Sequence, residues 1–151
     1  MTLQIGDKCP IFSLPNQQNE QINIQELIGK KNLVIYFYPK DETPGCTKEA
    51  CSFRDSYEEF KDLDCEVIGI SSDSVEDHLK FAEKYHLTFT LLADTQKEVR
   101  KTFGVPSNLF GLIPGRVTYI IDKKGYIRGI FNSQINPLGH IKSALDILRT
   151  L

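Results

Sequence analysis

The sequence has no tryptophan and only one methionine among its 151 residues. It also lacks any apolar run approaching the roughly 18 residues that a membrane-spanning helix requires. No membrane partner is therefore expected. The formal net charge is −2, and no cluster of Lys and Arg stands out, which argues against nucleic acid as a partner. Met1 to Pro10 shows no basic segment followed by an apolar one, so no signal peptide is expected. The expected location is cytoplasmic, or plastid for a chain whose transit peptide has been removed. No C-x2-C pair occurs among Cys9, Cys46, Cys51 and Cys65. With no secretory signal, a structural disulfide framework is not expected. His78, His86 and His140 have no ligand-like spacing to one another or to the cysteines, so no metal site is expected. The three histidines are read as surface residues. Thiol chemistry or inert burial is what remains for the cysteines.

What is present reads as one α/β domain over residues 1–151, long enough to bury a core. Leu33 to Tyr38 is a continuous apolar, β-favouring run, as expected for a strand buried on both faces at the centre of a sheet. Val67–Ser71 and Phe89–Leu92 are further runs of this kind, and short strands are expected at Ile11–Leu14 and Gln21–Ile24. Val117–Asp122 and Tyr126–Phe131 flank Lys123-Lys124-Gly125, a solvated hairpin turn. Helical patterns cover 46–62, 75–85, 95–103 and 138–149, with Ser74 and Asp94 placed as N-caps. The alternation predicts parallel pairing early in the chain and an antiparallel hairpin late.

The segment Tyr36 to Cys51 carries the chemistry. Thr43-Pro44 is a helix start: the residue before proline is driven from the α region, and proline suits the first helical position. Cys46 then lies in a first turn whose amides lack intrahelical partners and whose dipole end is positive, a setting that stabilises a thiolate. Gly45 lets another group approach the backbone closely. Cys46, Ala50, Phe53, Tyr57 and Phe60 form the apolar stripe of this helix, so Cys46 faces the core side. Cys51 falls with Arg54, Asp55, Glu58 and Asp62 on the face toward water. Residues five apart in an ideal helix have Cα atoms ~8.6 Å apart, beyond the reach of a disulfide. A Cys46–Cys51 bond therefore demands that at least the first turn unwind. Inert burial of both thiols is the plainer alternative. Cys9 and Cys65 are read as structural. Glu49 has no partner that can be named, and a proton-relay role is one option for it.

Pro39-x3-Thr43-x2-Cys46 resembles the active-site signature of peroxiredoxins. The longer string Tyr36–Asp55 is similar to the bacterioferritin-comigratory, or peroxiredoxin Q, subfamily. Gly6 to Leu14, with Cys9 where a small residue is usual, resembles the family's opening. Gly69-Ile70-Ser71-Ser72-Asp73 and Leu109 to Asp122 resemble two further strand segments, so the likeness covers almost the full chain. It implies a thioredoxin fold of peroxiredoxin type, a central mixed sheet flanked by helices. It also implies peroxide reduction without metal, flavin or haem, hence no cofactor. Cys46 is then the peroxidatic cysteine, oxidised to a sulfenic acid. Cys51 is the resolving cysteine, and thioredoxin or a glutaredoxin-like protein reduces the resulting intramolecular disulfide. Thr43 orients the peroxide, Arg116 stabilises the thiolate and holds the peroxide oxygens, and Pro39 shields the pocket. Among Arg54, Arg100, Arg116, Arg128 and Arg149 only the resemblance selects Arg116. A monomer is expected. Two other functions fit the same fold: a thiol-disulfide oxidoreductase, against which the missing C-x2-C speaks, and a redox-responsive holdase.

Overall fold

The computed structural model describes residues 3–108, 113–133 and 136–151. Two short strands, β1 (Ser13–Pro15) and β2 (Gln21–Asn23), pair as an antiparallel hairpin. The next strand, β3 (Asn32–Phe37), is buried at every position, as its unbroken apolar run requires. After it come helix α1 (Pro44–Asp55) and helix α2 (Tyr57–Asp62). Strand β4 (Cys65–Ser71), helix α3 (Val75–Tyr85), strand β5 (Thr90–Ala93) and helix α4 (Glu98–Phe103) follow. A two-residue pairing joins β6 (Ser107–Asn108) to β7 (Ile113–Pro114). The chain closes with β8 (Val117–Ile121), β9 (Ile127–Asn132) and helix α5 (Pro137–Leu148). Leu109 to Leu112, the opening of the arginine-bearing segment singled out above, lie outside the described residues.

The main sheet has the order β5-β4-β3-β8-β9. The β3–β4 and β4–β5 pairs are parallel, whereas β3–β8 and β8–β9 are antiparallel. The sheet is thus mixed, with β3 at its centre, as the sequence pattern predicts. One face buries Val34, Tyr36, Tyr38, Phe53, Phe60 and Phe81 under α1, α3 and α5. The other buries Leu33, Ile35, Phe37, Phe103 and Tyr119. This alternation along β3 places Tyr36 and Tyr38 on the α1 side. The carboxyl end of β3 is therefore aimed at the start of α1.

Several expectations need correction. The helix expected over 46–62 is interrupted at Ser56, whose φ of −97° and ψ of 9° leave the helical region. The break lets Phe53 and Phe60 meet in one cluster with ring centroids 5.6 Å apart. Asp94 is not an N-cap. Lys97, in left-handed conformation, holds that position before α4. The Asp94 carboxylate still accepts from the amides of Val99 and Arg100, so its side chain serves the helix start from outside it. His78 and His140 are fully buried, not superficial; only His86 is exposed. Hydrogen-bond partners meet both nitrogens of each ring, and burial of a paired polar group costs little.

Candidate active site

Cys46 is the third residue of α1 and is 1% exposed. The Thr47 amide bonds the Thr43 carbonyl at 2.9 Å, closing the first turn. The Cys46 amide precedes that bond and has no acceptor within the helix. Thr43 holds the N-cap position in extended conformation, as expected, but its hydroxyl does not cap. It donates instead to the Lys40 carbonyl at 2.9 Å. That bond leaves the lone pairs of Oγ1 free to accept.

Arg116 reaches the sulfur from the entry of β8, the antiparallel neighbour of β3. Its Nη2 lies 3.3 Å from Cys46 Sγ, and its Nη1 lies 2.6 Å from Glu49 Oε1. Arg116 is 4% exposed and Glu49 is fully buried. Burial disfavours the Arg116 charge, but Glu49 and Cys46 outweigh it and raise its affinity for the proton. Gly45 admits this approach: a Cβ there would stand 3.0 Å from Arg116 Nη2. The group that comes close to the Gly45 backbone is thus the protein's own guanidinium.

Glu49 lies three residues after Cys46, on the same side of the helix. Its second oxygen, Oε2, has no hydrogen-bond partner and lies 3.5 Å from His140 Nδ1. The other orphaned buried side-chain atoms among the described residues are Tyr36 Oη and Arg116 Nε. These atoms belong to residues coupled electrostatically to Glu49 and Cys46. Burial, and next the neighbouring Glu49, drive the Tyr36 hydroxyl well above its ordinary range.

Two further clasps hold the site's loops. Arg100, on α4, donates to the Tyr38 carbonyl at 3.0 Å and to the Gly115 carbonyl at 3.1 Å. It thereby ties the residue before Pro39 to the residue before Arg116. Asp41 accepts from the Tyr38 hydroxyl at 2.6 Å and is bonded to His78 Nδ1 at 2.7 Å, while His78 Nε2 donates to the Leu92 carbonyl at 3.0 Å. The 38–43 loop is pinned at both flanks. Pro39 itself is half-buried at the end of β3.

Of the sequence-selected residues, Arg116 touches the Cys46 thiol, Thr43 holds the N-cap position of the helix that carries it, and Pro39 follows β3. Cys51 shares α1 but is half-buried, less open to water than expected, and all four cysteines are free thiols. Cys9 and Cys65 are buried elsewhere, and burial pushes the Cys9 thiol up to about 12 and the Cys65 thiol higher still. Sequence reasoning left Glu49 without a partner and passed over Arg100, Asp41, His78 and His140. The i, i+3 spacing from Cys46 is a signal that could have singled out Glu49; for the others no local signal existed.

A family model described as the AhpC/TSA family matches residues 5–130. The chain belongs to that family. Within it, the chain is 51% identical over 146 residues to chloroplastic peroxiredoxin Q of Sedum lineare, covering 97% of this chain and 78% of the relative. Chloroplastic peroxiredoxin Q of Triticum aestivum is also 51% identical, with 97% and 67% covered. Among solved structures, peroxidoxin BcpB from Mycobacterium tuberculosis superposes with a TM-score of 0.91 at 36% identity, covering 99% of this chain and 98% of that one. The bacterioferritin comigratory protein of Xanthomonas campestris, described for its alkyl peroxide reduction activity, has a TM-score of 0.85 at 27% identity, with 95% and 98% covered. The fold is accordingly the thioredoxin fold of peroxiredoxins. This AhpC/TSA-family chain is a thiol-dependent peroxidase. No helix among its described residues is long and apolar enough to cross a membrane.

Proposed function

We propose that residues 1–151 form a single, monomeric peroxidase domain in which Cys46 is the peroxidatic cysteine. The observation that supports this most directly is the 3.3 Å contact between Arg116 Nη2 and Cys46 Sγ at the first turn of α1. A fixed guanidinium there stabilises the thiolate and the charge that develops on a departing oxygen. Thr43 Oγ1, with its proton committed to Lys40, accepts a hydrogen bond from the peroxide and orients it. Pro39 shields the sulfur from bulk water. The thiolate attacks one peroxide oxygen, the O–O bond breaks, and Cys46 becomes a sulfenic acid.

Cys51 resolves that sulfenic acid by forming an intramolecular disulfide and releasing water. The reaction requires the first turn of α1 to unwind, because both cysteines sit in regular helix. Thioredoxin or a glutaredoxin-like protein returns the disulfide to thiols. Hydrogen peroxide and organic hydroperoxides are the substrates; the alkyl peroxide reduction named for the Xanthomonas campestris protein supports the second class. Four free thiols suit a reducing compartment, the cytoplasm or, as in the chloroplastic relatives, a plastid.

The test is steady-state peroxide consumption with thioredoxin and its reductase. Cys46→Ser is expected to lose turnover entirely, and appreciable residual activity would sink the assignment. Cys51→Ser should react once, then stall or over-oxidise. Full thioredoxin-linked cycling by Cys51→Ser would transfer the resolving role to Cys9 or Cys65. An oxidoreductase would reduce protein disulfides but not peroxide, and a holdase would catalyse neither.

A further inference from the structure

Arg116 supplies one positive charge to a buried pocket that holds two acids, the Cys46 thiol and the Glu49 carboxyl. If both were ionised, Arg116 would balance only one of them, because Arg100, the next cation near Cys46, is matched first by Asp94; the excess negative charge would lie out of reach of water, which is strongly unfavourable. The two acids therefore compete for the one charge of Arg116. We propose that Glu49 and Cys46 share one proton across Arg116: Glu49 holds it while Cys46 is a thiolate, and gives it up when the sulfur becomes a sulfenic acid. The inference rests on Cys46 being the reacting thiol.

The hydrogen bonds of His140 explain why the proton resides on Glu49 first. His140 Nε2 lies 2.8 Å from the Ser133 carbonyl, which can only accept, so that nitrogen carries hydrogen. Nδ1 of the neutral ring is then an acceptor, and the Thr118 hydroxyl at 2.7 Å donates to it. Glu49 Oε2 faces this lone pair at 3.5 Å. That face presents no hydrogen to Oε2, which has no hydrogen-bond partner, so an ionised Oε2 would be buried without a donor. The groups facing Glu49 are Cys46 from its own helix, Arg116 from the entry of β8, Tyr36 from β3 and His140 from α5. Arg116 alone among them is cationic. Burial pushes the Glu49 carboxyl up to about 8 despite Arg116, and burial lowers His140 to about 4, which keeps the ring neutral.

The charge count closes through the reaction. The thiolate gives an electron pair to the hydrogen-bearing oxygen of ROOH. The S–O bond forms as the O–O bond breaks, so sulfur is oxidised and the peroxide reduced. The attacked oxygen keeps its hydrogen as Cys46–SOH. The departing RO⁻ takes one proton and leaves as ROH. When that proton is the one Glu49 held, the pocket is neutral before and after: Arg116 first balances the thiolate, then the carboxylate. Glu49 is a positioning residue and proton store, since it touches Arg116 rather than the peroxide.

Infrared difference spectroscopy reads this directly. Cys51→Ser protein is compared before and after one equivalent of hydrogen peroxide, so that the sulfenic acid persists. The expected spectrum loses the C=O band of a protonated carboxyl and gains carboxylate bands, and Glu49→Gln in the same background removes both changes. Retention of Glu49 for packing alone predicts no such band. If Glu49→Gln does not fold, labelling with carboxyl-¹³C glutamate moves the band instead, and Glu49 is the one fully buried glutamate. A difference spectrum without a glutamate-dependent protonated-carboxyl loss overturns the proposal. Residual turnover in Cys46→Ser would instead overturn the underlying assignment of the thiol, so the two failures are separable.

Discussion

Arg116 does its work through two contacts that only one kind of side chain can make together. Its planar fork reaches a sulfur with one nitrogen and a carboxyl with another. Gly45 is the residue that keeps this fork in place, because any Cβ there would press on Nη2. Gly45→Ala should push the guanidinium a few tenths of an ångström off the sulfur. We expect kcat/KM for peroxide to fall roughly tenfold, since small misplacements at a reacting centre are costly. Unchanged kinetics in a folded Gly45→Ala protein would show that the fork adapts. Cys46 could be singled out in the sequence because its setting is local: Thr43, Pro44 and Gly45 define the helix start that surrounds it. Arg116 could not be singled out by physics, because its partner lies 70 positions away in the chain. Only the resemblance selected it.

The proposed Cys46–Cys51 disulfide would require helix α1 in two shapes. In the folded shape it presents Cys46 to Arg116, with Ala50 and Phe53 locking its inner face into the core. The disulfide-bonded shape cannot keep the first turn. That turn is lightly held: the Thr43 hydroxyl does not cap it, and Gly45 adds no side chain to hold it. Oxidation with one equivalent of peroxide should therefore lower amide-exchange protection across residues 44–52 while leaving α3 and α5 unchanged. Equal protection in the thiol and disulfide forms would contradict the unwinding. Most element types were legible because burial leaves a pattern in the sequence, an unbroken β-favouring run for β3 and β8, buried along their whole length, and a period of 3.6 for α3 and α5. Ser56 was missed as a break because the apolar stripe continues across it from Phe53 to Phe60. Asp94 was misplaced because its carboxylate does bond helix-start amides, but from a turn outside the helix.

Across the whole molecule, two buried ionisable groups give stability opposite slopes with pH. The folded state holds the Glu49 proton up to about pH 8, whereas the unfolded chain releases it near the ordinary value of 4.5. Between those values the native state binds more protons than the unfolded one, so stability falls as pH rises. His140 runs the other way. Its ordinary value is 6.5 and its folded value is about 4, so the unfolded chain binds more protons in that window and stability is lost on acidification. Urea unfolding across pH 4–9 should show stability declining toward the alkaline end, and Glu49→Gln should flatten that decline. A slope identical in wild type and Glu49→Gln would remove the buried proton from the native state.

The sequence by itself determined most of the strand and helix types, the central place of β3, the helix-start setting of Cys46 and the impossibility of a Cys46–Cys51 bond in intact helix. Each of these depends on neighbours within a few residues, or on a periodicity that burial imposes along the chain. The tertiary structure alone decided which charges meet. Arg116 beside Cys46, Glu49 between Arg116 and His140, and Arg100 between the Tyr38 and Gly115 carbonyls all join distant segments through the packing of α1, α4 and α5 around the sheet. Pairwise electrostatics depend on distance and burial. Neither can be read from a chain until β3 and β8 lie side by side.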